Sequence, residues 1–450
     1  MQLDTDRATS DIRARRNPSY EARERPRRLL RVFAGLILIC AFDFKAESSG
    51  SAALLQGSVY LMYLFLLGQI LVVGVRQQIA PRKLLVLLVV VTLFLADSSL
   101  VGLYHDQSPY FIFTNCLAPF IYASAAVATF IVLRAAREHL AMFLSVIRLA
   151  CLSFGAIHFF LVLWVKGGID LSQSRYEWLN SAVVPSLGLI AVAIVCRLRR
   201  ADLLVLMVQL AIAIISVTRT LVLVIVAQVA AVFVARPSLL RRRATLRPLA
   251  ILCMCAVTLW GIDIWTGAGL SNRWVDRMTV SERFGYDPTA LTRNAETEYM
   301  LQAFSASTTS VLFGNGLAAY TWSIGRDAII IGETTGWGNV NSAEIGIGHE
   351  DHVSILFVAG ILGGGGLLLV QFFNVILAIT LIRRLTANLG NYDDDFLRVG
   401  VWGAVTVIGV YTLGFLGGTI NDRPTCLWYG IGTGMLYWVW HAAQTPNHSG

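Results

Sequence analysis

The run VSILFVAGILGGGGLLLVQFFNVILAITL, residues 353–381, contains 29 consecutive residues without a charge. A helix that spans a membrane needs about 20 mostly apolar residues, so this run predicts such a helix. Comparable runs recur along the chain, and we place eleven more of them at residues 31–44, 53–74, 84–104, 111–133, 149–165, 180–196, 202–217, 220–235, 248–266, 398–417 and 425–441. The sequence therefore predicts about twelve transmembrane helices.

The overall composition points in the same direction. Of the 450 residues, 56% are hydrophobic and only 14% are charged, and the mean hydropathy is +0.64. These values lie outside the range of soluble globular proteins. We expect an all-α, polytopic integral membrane protein.

The basic residues indicate the orientation. Lys and Arg accumulate in the cytoplasmic loops of membrane proteins, and here a basic cluster follows each even-numbered span up to the tenth. Twelve spans then place both termini and most of the 36 Lys and Arg residues in the cytoplasm. Topology thus explains the net charge of +8, and we do not expect the chain to bind nucleic acid.

This topology divides the chain into five segments: a basic cytoplasmic tail at 1–28, transmembrane helices 1–9 at 29–266, a large external loop at 267–351, transmembrane helices 10–12 at 352–442, and a cytoplasmic tail at 443–450. We expect the first tail to be flexible. Loops as long as this external one of 85 residues are commonly functional. The loop has five Arg against ten Asp and Glu, so particular arginines would have to hold an anionic ligand.

The start of the loop predicts a short helix in SNRWVDRMTVSERF. This helix would carry Arg273 and Arg277 one turn apart on one face. We expect both arginines to contribute to substrate binding.

A second loop helix is predicted after Asp287-Pro288, a pair that is typical of helix starts. Arg293 and Glu296 are expected on the surface of this helix. The residues expected in its apolar stripe are Met300, Ala303 and Phe304. Arg293 is either part of a solvated face, as an exposed helical Arg near a Glu commonly is, or a specific anion ligand.

Arg219 separates two apolar runs in ISVTRTLVLVI, residues 215–225. A charge at the bilayer centre costs roughly 2.5–3.5 kcal/mol, and less near the interface. One interpretation is an Arg that snorkels from a tight helical hairpin. The other is an anion clamp at the membrane surface, where a lipid phosphate would lie.

The segment GHEDH, residues 348–352, gathers titratable side chains where the loop meets the tenth span. His349 and His352 are candidates for a general base because the unperturbed pKa of His lies nearest to physiological pH. Structural histidines and a weak metal site with Glu350 and Asp351 are the alternatives. No third ligand follows at clear spacing, so we predict no metal.

The order of these features resembles the O-antigen polymerase and O-antigen ligase superfamily, membrane glycosyltransferases of the GT-C type. VTRT is similar to the Ser-Arg turn of that superfamily, and RNAETEYMLQAF followed by LFGNGLAAY is similar to its Arg-containing loop helix and Gly-x-Gly turn, which includes Gly316. GHEDHVSILFVAGILGG matches the pattern of a His, ten residues, Gly, two residues and Gly through His349, Gly360 and Gly363. The resemblance covers roughly residues 200–385.

Two positions depart from the family pattern. Thr218 replaces the Ser that commonly precedes the hairpin Arg, and Glu350 stands where ligases commonly have Asn, Ser or Gln. The second departure favours the polymerase over the ligase.

The resemblance implies a multi-pass protein of the bacterial inner membrane whose periplasmic site transfers a glycan from an undecaprenyl-pyrophosphate carrier to a sugar hydroxyl. Arg219 and Arg293 would stabilise the departing pyrophosphate. His349 would accept or orient the hydroxyl proton, with His352 or Glu350 as its partner, and Gly316 would contribute to substrate binding. We expect inversion at the anomeric carbon, no metal and no cofactor.

The expected partners are the lipid-linked oligosaccharide and membrane lipid, and a chain-length regulator is a candidate partner protein. Two alternatives stay open. A ligase would transfer the glycan to a lipid A core sugar, and a flippase or other transporter would line its path with Arg219. The long loop and the scarcity of charge within the spans favour the enzyme.

Overall fold

The structure, a computed structural model, describes residues 18–43, 50–76, 82–166, 179–241, 246–267, 269–322, 324–335, 344–345, 350–415, 417–420 and 422–444. These residues are almost entirely α-helical. Their regular strands are β1 (Tyr320–Thr321) and β2 (Glu344–Ile345), which pair antiparallel. The all-α prediction is therefore confirmed for the described part of the chain.

Ten α-helices precede the loop segment in the described residues. They are α1 (Pro18–Ile39), α2 (Gly50–Arg76), α3 (Arg82–Tyr104), α4 (Pro109–Ala135), α5 (Leu140–Lys166), α6 (Val183–Leu187), α7 (Leu189–Val195), α8 (Arg200–Ile215), α9 (Arg219–Ala235) and α10 (Leu246–Thr266).

The loop segment contributes α11 (Leu270–Met278), α12 (Val280–Phe284), α13 (Pro288–Ser305), α14 (Thr308–Phe313) and α15 (Gly325–Thr335). The chain then continues through α16 (Asp351–Ala359), a π-helical turn (Gly360–Gly365), α17 (Gly366–Ala387), α18 (Asp394–Gly414) and α19 (Arg423–Ala442).

Each of the twelve predicted spans overlaps one of these helices or a consecutive pair. By length and composition, however, only six of the described helices could cross a membrane: Gln56–Arg76, Arg82–Tyr104, Pro109–Ala135, Arg137–Phe160, Asp351–Ala387 and Asp394–Gly414. A pair bent by 116°, Leu252–Trp265 with Leu270–Met278, would make a seventh. The apolar helices Val183–Val195 and Arg219–Ala235 are shorter. A helical membrane protein is supported, and the count of twelve stays a prediction.

The helices α4, α18 and α19 form the centre of the bundle. The apolar windows of α4 and α18 are 83% and 78% buried, against 28% for α2 and α3, so α2 and α3 lie at the periphery. A Cβ at Gly430 or Gly434 of α19 would lie 2.3 Å from Tyr122 O or 2.6 Å from Ala126 O of α4. Small residues one turn apart therefore let these two backbones touch.

A buried charge cluster joins α5, α8 and α18 at the opposite end of the bundle from the loop segment. Asp202 accepts hydrogen bonds from Arg148 Nε at 2.6 Å and from Arg398 Nη1 at 2.8 Å. All three side chains are buried. Since an unpaired charge here would be costly, the cluster fixes the relative positions of the three helices.

Three boundaries differ from the sequence-based expectation. Helix α1 begins at Pro18, so the part of the basic tail at 18–28 is helical, whereas 1–17 and 445–450 lie outside the described residues. Helix α16 begins at Asp351, the last residue assigned to the loop. The run 353–381 is not one regular α-helix, because Gly360 has a φ of +59° and starts the π-helical turn.

Candidate functional site

The hairpin between α8 and α9 is as tight as VTRT predicts. Helix α8 ends at Ile215 and α9 begins at Arg219. Between them, Val217 is buried and has a φ of +48°. The left-handed region costs an L-residue about 1–2 kcal/mol, and a β-branched residue there is an outlier. Such strain clusters at functional sites, and here it lies two residues before Arg219.

Arg219 does not simply extend into solvent from this hairpin. Its Nη2 donates a hydrogen bond to Oδ2 of Asp287, and the Arg219 side chain is 29% exposed. Asp287 is the N-cap of α13, where its Oδ1 accepts from Thr289 N at 3.0 Å. The helix start predicted at Asp287 is confirmed, and Arg219 is tied to it.

Asp287 is held in its charged form. Burial alone would raise the pKa of this carboxyl, but the hydrogen bond and charge of Arg219, the N–H of Thr289 and the charge of Arg277 bring the pKa below its ordinary value. The contact between Arg219 and Asp287 is therefore an ion pair at neutral pH.

Helix α11 packs onto the same hairpin. Trp274 Nε1 donates to Ile214 O at 2.9 Å, and Arg277 Nη2 donates to Thr289 Oγ1 at 2.6 Å. The predicted helix with Arg273 one turn before Arg277 is present. The hairpin, α11 and the start of α13 thus meet, and Arg219 and Arg277 both reach the first turn of α13.

Arg293 lies in the second turn of α13. It has no ion-pair partner among the residues that the structure describes, and its side chain is half-buried. Met300, two turns later on the same face, is fully buried and receives a contact from Ser354 Oγ of α16 at 3.5 Å to Sδ. Arg293 therefore belongs to the face of α13 that turns toward α16.

The expected position of Glu296 was wrong. Glu296 is 5% exposed and lies on the face of α13 that Arg293 and Met300 share. Of the predicted stripe, Met300 is buried, whereas Ala303 and Phe304 are only half-buried. The cause is packing, since α13 contacts α14, α15 and β1 as well as α16. Its exposed stripe runs instead through Ala290, Asn294, Glu298, Leu301 and Ser305.

The start of α16 separates the GHEDH residues. His349 lies outside the described residues. Asp351 is buried and accepts hydrogen bonds from Thr419 N at 2.8 Å, from Ile420 N at 3.1 Å and from Thr419 Oγ1. Asp351 therefore anchors the connection between α18 and α19.

His352 is held by aromatic rings of α18 and its C-terminal end. It stacks on Phe415 with 3.7 Å between ring centroids and meets Tyr411 edge-on at 5.1 Å. Both ring nitrogens of His352 are buried and have no hydrogen-bond partner within the described residues. Glu350, the N-cap of α16, makes no side-chain capping bond and does not bond to His352.

The Gly-x-Gly turn docks on the end of α16. Asn315 N donates to Phe357 O at 2.8 Å, and Gly316 N donates to Val358 O at 3.0 Å. A Cβ at Gly314 would lie 2.4 Å from the carbonyl carbon of Val358. Asn315 and Phe357 are 42 positions apart in the sequence. Backbone hydrogen bonds thus join two distant motifs, the Gly-x-Gly turn and the helix that follows GHEDH.

Gly316 itself is buried against α3. A Cβ there would lie 2.5 Å from Gly102 Cα, and the φ of Gly316 is +93°. The structure thus places Gly316 in contact with the protein's own backbone, and any contribution to substrate binding comes through the position of the turn.

Two side chains that sequence reasoning missed clamp this turn. Gln107 donates from Nε2 to Asn315 O at 2.6 Å and accepts from Ala318 N at 2.9 Å, while Asn115 Nδ2 donates to Leu317 O at 3.0 Å. Both residues belong to the α3–α4 region, outside the stretch that carries the resemblance. In the sequence, the one indication of this clamp is the pair of amide side chains in HDQSPYFIFTN, residues 105–115.

Within the described residues, no group of three or more His, Cys, Asp or Glu side chains could hold a metal ion. A search of protein-family models gives no match to the chain, and no curated protein matches it significantly.

Proposed function

We propose that this protein is a glycosyltransferase of the bacterial inner membrane that polymerises the repeat units of an O-antigen or exopolysaccharide. It would take a glycan from an undecaprenyl-pyrophosphate carrier and transfer it to a sugar hydroxyl of another lipid-linked unit at the periplasmic face. The proposal starts from the resemblance of residues 200–385 to that superfamily and gains support from the contacts between the motifs.

Contacts between the motif segments carry the proposal. The ion pair between Arg219 and Asp287 joins the hairpin to the loop helix that contains Arg293. The backbone bonds from Asn315 and Gly316 join the Gly-x-Gly turn to the helix that follows GHEDH. Ser354 of that following helix contacts Met300 of the loop helix. The described parts of the segments that resemble the superfamily therefore form one contiguous unit, the motif unit, as a shared site requires.

The arginines suit the leaving group of this reaction. As the bond between the anomeric carbon and the pyrophosphate oxygen breaks, the electron pair and negative charge stay with the pyrophosphate. A guanidinium has five N–H donors, so Arg219 retains donors beyond the one used by Asp287. With Arg293 it would bind the phosphate oxygens through charge-assisted hydrogen bonds.

The acceptor hydroxyl needs a base. In this proposal its oxygen attacks the anomeric carbon from the face opposite the pyrophosphate, which inverts the configuration, and its proton passes to His349. His352 lies three residues further along the sequence, with its two ring nitrogens unpartnered in the described part of the chain. Its rigid aromatic setting makes it a positioning residue rather than the base.

Reconstitution in lipid tests the proposal. The purified protein would be supplied with one undecaprenyl-pyrophosphate-linked repeat unit and no other acceptor, and the products separated by size. A ladder of products supports the polymerase. Transfer that occurs only after a lipid A core acceptor is added identifies a ligase, and no transfer with either acceptor contradicts the proposal and favours a transporter.

A chelator provides a second arm of the same assay. We expect the ladder to form equally well with and without EDTA, because fixed arginines would stabilise the departing charge. Strong inhibition by EDTA that added metal reverses would contradict the metal-free mechanism while leaving the transfer activity in place.

A further inference from the structure

A cavity of about 550 Å³ lies beside the motif unit. It opens between the α3–α4 connection, α13 and the chain that follows the Gly-x-Gly turn. Its lining includes His105, Asp106, Gln107, Tyr299, Tyr320 and Trp322. Its volume falls within the 300–1,000 Å³ that is usual for small-molecule sites. None of the site residues predicted from the sequence lines this cavity, although Tyr299 and Tyr320 belong to two of the motifs that carry the resemblance.

The lining combines aromatic faces with polar edges. Tyr299, Tyr320 and Trp322 supply rings, and two further rings, Phe111 and Phe357, complete the apolar part. Polar groups come from the α3–α4 connection and from Asn315. A pyranose has the matching surface, because its C–H face packs on an aromatic ring while its hydroxyls bond to side chains around the edge.

The charge of the lining argues against a phosphate ligand. Among the lining residues that the structure describes there is no Lys or Arg, and Asp106 is acidic. A pyrophosphate would be repelled by that carboxylate. The two arginines proposed to bind the pyrophosphate lie elsewhere, Arg219 at the hairpin and Arg293 in the second turn of α13. The two sites therefore suit different parts of one molecule: the pyrophosphate at these arginines and the neutral sugars in the cavity.

The walls of the cavity are fixed before any ligand binds. The side chain of Gln107 bridges Asn315 O and Ala318 N, and the ring of Tyr299 meets Phe357 edge-on at 6.2 Å. Asp106 holds a φ of +55° at the mouth, a conformation that few residues other than Gly adopt. Such a preformed lining lowers the ordering cost of binding.

The rim remains accessible. Tyr320 is 50% exposed and Trp322 is 36% exposed, whereas the interior wall is formed by the buried Phe357. Tyr299 belongs to the same helix as Arg293, and Phe357 to the same helix as His352. A glycan whose pyrophosphate end lies at the arginines could therefore extend across α13 into the cavity.

We propose that this aromatic cavity binds neutral sugar residues of the oligosaccharide and thereby selects the repeat unit that is transferred. The identity of the sugar chain as substrate rests on the proposed function, but binding of a free oligosaccharide by the cavity does not require transfer.

The test measures binding without catalysis. The probe is the free oligosaccharide repeat unit of the source strain, released from its pyrophosphate by mild acid, titrated into the purified full-length protein in detergent. Trp322→Ala and Tyr320→Ala should each weaken binding by roughly tenfold, the equivalent of about 1.4 kcal/mol. Trp322→Phe, which keeps a ring, should restore most of the affinity. Arg293→Ala should bind the free oligosaccharide as the wild type does.

Trp265→Ala is the matched control. Trp265 is 88% exposed near the end of α10 and does not line the cavity, so this variant should bind the probe as the wild type does. In the reconstituted assay, Trp322→Ala should raise the KM for the lipid-linked unit by at least about tenfold while kcat changes little.

The outcomes separate this proposal from the proposed function. A protein that binds the probe, loses binding in Trp322→Ala and makes no ladder would support the cavity and contradict the polymerase. A wild type that makes a ladder, with unchanged KM and probe binding in both aromatic variants, would overturn the cavity and leave the polymerase standing. Absence of saturable probe binding by the wild type would also overturn it.

Discussion

Arg219 in the α8–α9 hairpin and Asp287 at the start of α13 form an ion pair although 68 positions separate them in the sequence. The pair ties an element between two apolar helices to the loop helix that carries Arg293. It also holds Arg219 in place while leaving part of its guanidinium accessible, since the side chain is 29% exposed. In the proposed mechanism, Asp287 is therefore a positioning residue for Arg219.

The contribution of this ion pair can be separated from helix capping. Asn caps a helix about as well as Asp, so Asp287→Asn should remove only the charge. It should lower the free energy of unfolding by about 1 kcal/mol, the upper end of the range measured for exposed ion pairs. Asp287→Ala should also remove the helix cap and lower the free energy of unfolding by about 1 kcal/mol more. Thermal unfolding in detergent, followed by tryptophan fluorescence, should give the highest melting temperature for the wild type, a lower one for Asp287→Asn and the lowest for Asp287→Ala. Equal melting temperatures for all three would contradict the pair's role.

The same pair predicts a pH dependence of stability. The pKa of Asp287 is lowered in the folded protein, so its stabilisation is fully present above the unfolded pKa of about 3.9 and is lost as the pH falls through the lower folded value. The difference in melting temperature between the wild type and Asp287→Asn should stay constant from about pH 5.5 to 8 and shrink below about pH 3.9. A difference that shrinks between pH 8 and 6 would disagree with this assignment.

The docking of the Gly-x-Gly turn on α16 predicts which glycines are essential. Gly314 has a φ of +78°, and its added Cβ would lie 2.4 Å from backbone, while a Cβ at Gly360 would lie 2.3 Å from Leu312 O. Gly314→Ala and Gly360→Ala should each lower the free energy of unfolding by more than about 2 kcal/mol. A left-handed conformation alone costs an alanine about 1–2 kcal/mol, and the clash with backbone adds to that.

Gly365→Ala is the control within the same run of glycines. Gly365 has helical backbone angles, and its nearest side-chain contact would be 3.7 Å away, so the change should alter stability by no more than about 1 kcal/mol. Melting temperatures of the three variants check both statements. If Gly365→Ala were as unstable as Gly314→Ala, the loss of stability would come from replacing any glycine of this region, and the close docking of the turn would not explain it.

The two histidines of GHEDH should respond differently to substitution. His349→Ala should reduce transfer by at least about 100-fold, within the range for general base catalysis. His352→Phe keeps the aromatic stack on Phe415 and Tyr411, so it should retain the melting temperature and lose less than about tenfold in rate. Transfer rates of the two variants in the reconstituted assay test this prediction. A larger loss of rate in His352→Phe than in His349→Ala would make His352 the base.

Patterns in the sequence predicted the helices well, together with the hairpin at Arg219, the helix of Arg273 and Arg277, and the helix start at Asp287. Each of these depends on local chemistry, such as apolar runs, turn residues and caps. The burial of Glu296 and the clamp formed by Gln107 depend on contacts between distant segments, which periodicity does not encode. The count of spans does not follow from apolar runs alone, because α8 and α9 are individually short and α6 and α7 are separate helices.

In the proposed mechanism the arginines of the motif unit stabilise the departing pyrophosphate, and one comparison of rates tests this role. Arg293→Ala and Arg326→Ala both remove a loop Arg, but Arg326 is exposed on α15 and belongs to neither site. In the assay with the lipid-linked repeat unit, we predict that Arg293→Ala lowers kcat by about 100- to 1000-fold, while Arg326→Ala forms a ladder at the wild-type rate. Equal rates for the wild type and both variants would contradict the account.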